Sequence, residues 1–264
     1  MKLPPLAVRL FRFSSVSALW ISLMSVFWIV LLSRLTGYPY DPVASVILGL
    51  VTWPVYAADH AGGSKEDLMN NPGRAWLAKY PVKKLAALVY IAALIITAWW
   101  DATKLPCVLV VGLAGAAYTA RIRGIRPKDI LGMKTLIVAS STAICRAGLV
   151  GGAWWLYVLV FLVMVIDTIL CDMRDIKGDA AEGVRTIPVM LGRGRTLALL
   201  AAVDVIIFTL SPIVVMVGAG LIIYFRKERC SLSYDLLVDG WMLWVVMLLL
   251  LESALVTFFQ GISY

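Results

Sequence analysis

Two groups of aspartates are the residues of this sequence best suited to chemistry. The first group lies in the segment DHAGGSKED, whose ends are Asp59 and Asp67, eight positions apart. If one helix continues through this segment, its two end positions share a face. The second group lies in DMRDIKGD, where Asp172, Asp175 and Asp179 follow one another at helical spacing. Because neighbouring carboxylates on one helix face repel one another, each group predicts a bound cation.

The ligand type indicates which cation this is. Carboxylates without His or Cys suit hard ions, and Mg²⁺ is commonly held by one or two carboxylates while phosphate oxygens and water complete the octahedron. Basic residues lie close to both aspartate groups and in the joint between them, and they are expected to bind the phosphate: Lys65, Arg74, Arg121, Arg123, Arg126, Lys128, Lys134, Lys177 and Arg185. The pattern predicts a diphosphate bridged to Mg²⁺.

The composition shows where such a site must sit. The 264 residues are 61% hydrophobic and only 15% charged, whereas soluble domains are about 45–50% apolar. This excess excludes a water-soluble globular domain and predicts an all-α membrane protein. The charges are basic overall, with 24 Lys and Arg against 16 Asp and Glu. In so apolar a chain we interpret them as orientation signals rather than as a nucleic-acid surface, and we expect no nucleic-acid partner.

The apolar residues divide into segments long enough to cross a bilayer, separated by short polar joints. We predict nine transmembrane helices, at 14–35, 42–61, 83–101, 105–121, 131–149, 152–174, 194–210, 212–225 and 238–260. The pair Ser211-Pro212 offers the turn between the seventh and eighth. Residues 3–13 are expected to form a short helix on the membrane surface. The first segment is too long for a signal peptide, so none is expected.

The basic residues fall on one side of this predicted bundle. Nearly all lie at the N-terminus or after an even-numbered segment, and the exceptions are Arg34, Lys104 and Arg146. Because positive charge is concentrated on cytoplasmic loops, the N-terminus is predicted inside and the C-terminus on the opposite side. Both aspartate groups also follow even-numbered segments, so the site should face the cytoplasm. A charged site at the end of an apolar helix bundle implies a substrate with a charged head group and a long hydrocarbon tail, such as an isoprenyl diphosphate.

These motifs resemble those of the UbiA superfamily of intramembrane prenyltransferases. The resemblance rests on the first aspartate segment leading into NNPGR, the second leading into GVRTIPVMLG, and their places after the second and sixth helices. It covers most of the chain and implies one UbiA-like domain over 1–264, with a central cavity open to the cytoplasm. Asp175 and Asp179 match the family's DxxxD pair, with Asp172 as an additional upstream aspartate.

The first motif departs from the prenyltransferase pattern NxxxDxxxD. Asp59 stands at the Asn, Gly63 at the middle Asp and Asp67 at the last Asp. This form is more similar to the NxxxGxxxD motif of the superfamily's terpene-cyclase branch. The family's YxxxK motif after helix four is represented only by Tyr118, because Ile122 stands where the Lys would be.

The resemblance implies a Mg²⁺-dependent terpene cyclase that ionises a prenyl diphosphate and cyclises the carbocation, with the 20-carbon geranylgeranyl diphosphate as the expected substrate. The site residues it implies fall into three sets. In the first set, the catalytic residues are Asp59, Asp67, Asp175 and Asp179, and the metal ligands are Asp67, Asp172, Asp175 and Asp179. Diphosphate ligands are Arg74, Arg121, Arg123, Lys134, Lys177 and Arg185. Cavity residues are Tyr56, Gly63 and Tyr118.

Two other functions fit the same residues. A UbiA-type prenyltransferase would move the prenyl group to an aromatic or lipid acceptor, and it differs in needing an acceptor pocket. A transporter without chemistry would explain the ionisable residues inside the predicted spans, namely Arg146, Asp167, Asp204 and Glu252. Two groups of carboxylates on the same side of the membrane favour the two enzyme functions over the transporter. The sequence leaves the oligomeric state, substrate length and product open.

Overall fold

A computed structural model of the chain describes residues 5–62, 65–120 and 127–262, and all secondary structure in these ranges is helical. The α-helices are α1 Pro5–Val16, α2 Leu19–Thr36, α3 Pro42–His60, α4 Lys65–Asn70, α5 Val82–Asp101, α6 Leu105–Thr119, α7 Met133–Val150, α8 Trp154–Ala181, α9 Ile187–Phe208, α10 Pro212–Tyr224, α11 Ser231–Leu237 and α12 Trp241–Ile262. Short 3₁₀ helices cover Pro72–Lys79, Ala102–Lys104 and Pro127–Asp129.

Each predicted apolar segment coincides with one of the longer helices. The predicted turn at Ser211-Pro212 is confirmed, because α9 ends at Phe208 and α10 begins at Pro212. One difference concerns α8, which continues to Ala181 instead of ending near residue 174. Two further helical turns therefore carry the second aspartate group on the same rigid helix that crosses the apolar layer.

Five helical stretches of the described chain are long and apolar enough to cross a membrane, and a bent pair raises the number to six. The five are Leu19–Thr36, Pro42–His60, Val82–Tyr118, Met133–Val150 and Trp154–Ala181; the bent pair is Ser231–Leu237 with Trp241–Ala254. The stretch Val82–Tyr118 contains both α5 and α6, and α10 is a shorter apolar helix. The membrane character predicted from composition is therefore supported by long apolar helices.

The long helices pack as a closed bundle. In the order α2, α3, α5, α6, α7, α8, α9, α10 and α12, each helix contacts the next, and α12 returns to contact α2. Contacts of α7 with α2 and α3 cross the interior. Helix α8 has the longest buried face, including Leu159, Val160 and Met164. This packing holds the aspartates of α8 against α4 and α7.

Local sequence signals explain the ends of several helices. The Asp41 side chain accepts hydrogen bonds from the backbone N–H groups of Val43 and Ala44, and Pro42 occupies the first turn of α3, as expected for a capped N-terminus. Gly192 has a φ of 72° inside α9 and separates its first turn from the remainder. A left-handed φ suits glycine, which explains why the predicted span begins only after this residue.

Helix α1 lies beside the same end of the bundle as the aspartates. It begins at Pro5, within the predicted surface helix 3–13, and extends to Val16; residues 3 and 4 lie outside the described residues. Leu6, Leu10 and Phe13 are exposed, and Phe13 stacks on Trp76 at a ring-centroid distance of 5.7 Å. A surface helix with exposed apolar side chains and a stacked anchor fits a position at a membrane interface.

Candidate active site

A cavity of about 840 Å³ lies inside the bundle, between α3, α5, α6, α7 and α8. This volume is typical of a small-molecule site. Its charged lining concentrates at one end, where α3, α6 and α8 end and where α5 and α7 begin. We call this end the cavity mouth and define it by Asp59, Arg74, Lys134, Asp175 and Asp179, all of which line the cavity. Both predicted aspartate motifs therefore contribute to one cavity.

The aspartates of α8 have three different environments. Asp175 and Asp179 line the cavity mouth, and Asp179 is 4% exposed. Asp172 is 1% exposed and forms an ion pair with Lys134, its Oδ1 lying 2.5 Å from the Lys134 Nζ. Asp172 therefore holds the lysine at the start of α7, and the lysine in turn borders the cavity.

Asp175 is bound by its neighbour in sequence. Arg174 Nε lies 2.9 Å from Asp175 Oδ1, and Arg174 Nη2 lies 3.1 Å from Asp175 Oδ2. The third guanidinium nitrogen donates to Asp235 on α11 at 2.7 Å, and Ser15 of α1 donates to the other oxygen of Asp235 at 2.9 Å. Arg174 thus links α8 to α11 and, through Asp235, to α1.

The first aspartate motif does not form one continuous helix. Helix α3 ends at His60, and α4 begins at Lys65. Gly62 closes the end of α3 tightly, because a Cβ at this residue would lie 2.8 Å from the Asp59 carbonyl oxygen. Asp59 and Asp67 therefore stand on separate helices, and the condition for a shared helix face, one continuous helix, is not met.

Helix α4 packs directly on the second motif. The Asn70 Oδ1 accepts a hydrogen bond from the backbone N–H of Gly178 at 3.0 Å. A Cβ at Gly178 would overlap the Asn70 amide, so the glycine permits this close approach. Asp67 lies on α4, less than one turn before Asn70, and α4 packs on α8. The side chain of Asp67 lies outside the described residues.

The predicted diphosphate ligands separate into two groups. Arg74 is buried at the cavity mouth, and Lys134 borders the same space. Lys177 is 86% exposed and pairs with Glu228 at 3.1 Å, and Arg185 is exposed; neither is among the residues that line the cavity. Arg121, Arg123 and Gly63 lie outside the described residues.

The remaining lining is mainly apolar and aromatic. Val111, Ile137 and Val138 contribute aliphatic surface, and the predicted cavity residues Tyr56 and Tyr118 both border the space. Tyr90, which was not predicted, lines it as well; its hydroxyl donates to the Val108 carbonyl at 2.7 Å and accepts from the Gly112 N–H at 3.0 Å. Such a chamber can shield a reactive group from water.

The carboxylates at the mouth fit magnesium in their chemistry. Asp59, Asp175 and Asp179 are hard oxygen donors, and Arg74 and Lys134 beside them suit phosphate oxygens. Within the described residues, no three His, Cys, Asp or Glu side chains converge on one point. One or two carboxylates per ion are enough when phosphate and water supply the other ligands, so this spacing fits a metal that is shared with a diphosphate.

Sequence reasoning missed the residues that position the motifs. Arg174 lies between Asp172 and Asp175, two of the predicted site residues. Its positive charge was the only feature of the sequence that indicated a bond to Asp175. Asn70 stands directly before the NPGR segment, but no neighbouring residue in the sequence indicates that it has a partner on α8. Asp235 lies in a short polar joint whose contact with Arg174 depends on tertiary structure alone.

Comparisons with known proteins agree with an enzyme of prenyl chemistry. Residues 154–234, which include α8 and its aspartates, match the family described as VviA prenyltransferase. The digeranylgeranylglyceryl phosphate synthase of Halobacterium salinarum is 33% identical over 163 residues, which cover 58% of this chain and 57% of the relative. The protein of the same name from Thermococcus kodakarensis is 31% identical over 171 residues, with 58% of each chain covered.

A third relative extends the match. The digeranylgeranylglyceryl phosphate synthase of Pyrococcus abyssi is 28% identical over 196 residues, covering 69% of this chain and 70% of the relative. The chain spans 57% of the length of the Halobacterium relative. No solved structure matches the chain.

The apolar helices indicate an integral membrane protein, and its cavity joins a charged mouth to a mainly apolar chamber. The chain is similar to UbiA-type prenyltransferases, through the family match over residues 154–234 and through these relatives. The matching relatives are prenyltransferases, so the comparisons favour prenyl transfer, the alternative function, over the terpene cyclisation that the first motif implies.

Proposed function

We propose that this protein is a Mg²⁺-dependent intramembrane prenyltransferase, which moves a prenyl group from a prenyl diphosphate to an acceptor. The observation that carries the proposal is the cavity mouth, where carboxylates from α3 and α8 and the cations Arg74 and Lys134 open into one apolar chamber. The similarity to prenyltransferases supports transfer as the reaction.

The proposal includes an arrangement in the membrane. One transmembrane domain covers 1–264, with the nine longer helices as spans and α1 on the surface. The distribution of Lys and Arg supports a cytoplasmic N-terminus, a C-terminus on the opposite side and a cavity mouth that faces the cytoplasm.

At the mouth, the aspartates would hold the metal and the cations would bind the diphosphate. Asp59, Asp67, Asp175 and Asp179 are the proposed metal ligands. Bound Mg²⁺ would supply positive charge that compensates the negative charge developing on the diphosphate. Arg74 and Lys134 donate hydrogen bonds to the same oxygens, which lowers the barrier to breaking the bond between carbon and oxygen. The bonding electron pair leaves with the diphosphate.

The chamber below the mouth would protect the allylic cation. Its aliphatic wall excludes water, and the ring faces of Tyr56 and Tyr90 each stabilise a nearby cation by about 0.5–2 kcal/mol. A nucleophilic atom of the acceptor then bonds to the prenyl carbon and releases its proton. The names of the relatives lead us to propose geranylgeranyl diphosphate as donor and a prenylated glyceryl phosphate as acceptor, which would form an ether bond.

A direct assay tests this function. Purified full-length chain is incubated with Mg²⁺ and labelled geranylgeranyl diphosphate, with or without geranylgeranylglyceryl phosphate. We expect a doubly prenylated lipid that forms only with the acceptor, and no such product from Asp175→Asn or Asp67→Asn. Wild-type chain that makes no prenylated acceptor under these conditions contradicts the proposed function.

Terpene cyclisation is the second candidate because Gly63 replaces the middle aspartate of the first motif. It predicts a cyclic hydrocarbon or alcohol from geranylgeranyl diphosphate alone, which mass spectrometry would identify. A Gly63→Asp variant restores the prenyltransferase motif. Under the transfer proposal it keeps or raises prenyl transfer, whereas loss of a cyclic product in this variant would favour the cyclase.

A further inference from the structure

A buried arginine lies in the cavity wall far from the mouth. Arg146 is 4% exposed and lines the cavity. It follows Lys134 by 12 positions on α7, which corresponds to about 18 Å along the helix. On α8, which packs beside α7, Asp167 precedes Asp175 by eight positions, or about 12 Å. A diphosphate bound at the mouth does not reach this inner layer.

The guanidinium of Arg146 has an unusual set of partners. It stacks over the Trp28 ring at 4.5 Å, and its Nη1 contacts the Met164 sulfur at 2.7 Å. Its Nε is buried without a hydrogen-bond partner. Among the described residues, no oxygen atom accepts a hydrogen bond from Arg146 and no carboxylate lies within ion-pair distance. Five N–H donors are therefore met only by a ring face and a thioether, which is a weak acceptor.

Burying the Arg146 guanidinium without oxygen partners costs free energy unless a ligand binds to it. A buried guanidinium needs oxygen partners, because burying unsatisfied donors costs free energy. Asp167 lines the cavity in the same layer but does not pair with Arg146. Thr142 on α7 and Thr168 on α8 also border the cavity and are polar, yet the Thr142 hydroxyl donates to Val138 and the Thr168 hydroxyl to Met164. The unmet hydrogen-bonding capacity of the layer thus lies on the Arg146 guanidinium and the Asp167 carboxylate, and of these two only the guanidinium can donate to an anion.

We infer that Arg146 binds an anionic oxygen group, a phosphate or a carboxylate, of the acceptor substrate. The inference rests on the proposed prenyl transfer, because the prenyl chain carries no hydrogen-bond acceptor and the diphosphate stays at the mouth. Of the two substrates, only the second can then bring oxygen atoms to this depth. The planar fork of an arginine suits both kinds of oxyanion, and the Trp28 ring fixes its plane.

Binding is measured separately from turnover. The full-length chain in detergent is first saturated with Mg²⁺ and inorganic diphosphate, which occupies the cations of the mouth. It is then titrated by calorimetry with phenyl phosphate, benzoate and neutral benzamide. We expect one of the two anions to bind and benzamide not to bind. The anion that binds distinguishes a phosphate-bearing acceptor from a carboxylate-bearing one.

Variants test whether Arg146 is the binding group. Arg146→Gln should weaken anion binding about 10- to 100-fold, the loss expected for a charge-assisted hydrogen bond, and Arg146→Lys should lose less because it keeps the charge. Met164→Leu is the matched control, since it removes the sulfur contact but leaves the arginine, and its affinity should equal that of the wild type. Size-exclusion profiles and melting curves verify that each variant is folded.

An Asp167→Asn variant separates binding from a structural ion pair. If Arg146 binds the ligand, this variant keeps or raises the affinity for the anion. If the two residues only stabilise each other, Asp167→Asn and Arg146→Gln should lower the melting temperature alike and change binding alike, which overturns the inference. Equal affinity of wild type and Arg146→Gln, or no anion binding by the wild type, also overturns it. A chain that binds the anion but transfers no prenyl group refutes the proposed function instead.

Discussion

The Asn70 Oδ1 accepts the backbone N–H of Gly178 at 3.0 Å, across 108 positions of sequence. This bond fastens α4, which carries Asp67, to the turn of α8 that lies between Asp175 and Asp179. The two aspartate motifs belong to different parts of the chain, and this contact sets the distance between them. The absence of a side chain at Gly178 is what allows it.

Gly178→Ala should therefore separate the motifs. The added Cβ would overlap the Asn70 amide, and α4 must move away from α8. We expect at least a tenfold loss of Mg²⁺-dependent diphosphate release, with a smaller loss in Asn70→Ala, which removes the bond without a clash. Gly220→Ala is the matched control, because nothing lies within 4 Å of its added Cβ. Wild-type metal dependence in Gly178→Ala would show that this contact does not set the site.

The competition for Asp175 leads to a second prediction. Arg174 occupies both carboxylate oxygens of Asp175 while its remaining nitrogen binds Asp235. Asp235→Asn weakens the alternative partner, so Arg174 should hold Asp175 more strongly and the Mg²⁺ concentration for half-maximal activity should rise, by about two- to tenfold. Arg174→Gln should lower it. Measuring diphosphate release against Mg²⁺ concentration in both variants checks the two expected shifts. If both variants shift the half-maximal Mg²⁺ concentration in the same direction, Arg174 does not compete with the metal for Asp175.

The basic residues predicted from sequence should differ in importance. Arg74→Gln removes a buried cation at the cavity mouth, so we expect a tenfold or greater rise in the KM for prenyl diphosphate. Lys177→Gln removes an exposed charge whose surface pair with Glu228 contributes about 0–1 kcal/mol. Its KM should stay within twofold of the wild type. Steady-state kinetics on both variants compare the two positions, and equal effects would refute the division.

Sequence patterns predicted the helices better than the contacts between them. Runs of apolar residues place helix ends within a few positions, as for 42–61 against Pro42–His60, because burial in a bilayer demands a minimum length. Helical spacing also placed Asp175 and Asp179 on one face. The spacing of residues cannot show which side chains of other helices contact this stripe, since Asn70 meets Gly178 and Arg174 meets Asp235 through packing between helices distant in sequence. The same limit explains why Lys177 and Arg74 looked equivalent as loop cations.

The buried pair of Lys134 and Asp172 separates a structural role from a metal-binding role. Asp172 is almost fully buried and paired with Lys134. Removing one partner of a buried pair leaves an uncompensated charge, which costs about 3–5 kcal/mol. Asp172→Leu and Lys134→Met should each lower the melting temperature, and the double variant should recover much of the loss because no lone charge remains.

The activity of a further variant, Asp172→Asn, decides what Asp172 does. If Asp172 serves only to position Lys134, Asp172→Asn should raise the KM for prenyl diphosphate, because the lysine is no longer held at the mouth, while the Mg²⁺ requirement stays unchanged. If Asp172 also binds metal, as the motif implies, the Mg²⁺ concentration for half-maximal activity should rise as well. Its position behind Lys134 favours the first result. A metal titration of Asp172→Asn at saturating prenyl diphosphate distinguishes the two, since substrate affinity no longer contributes to the rate.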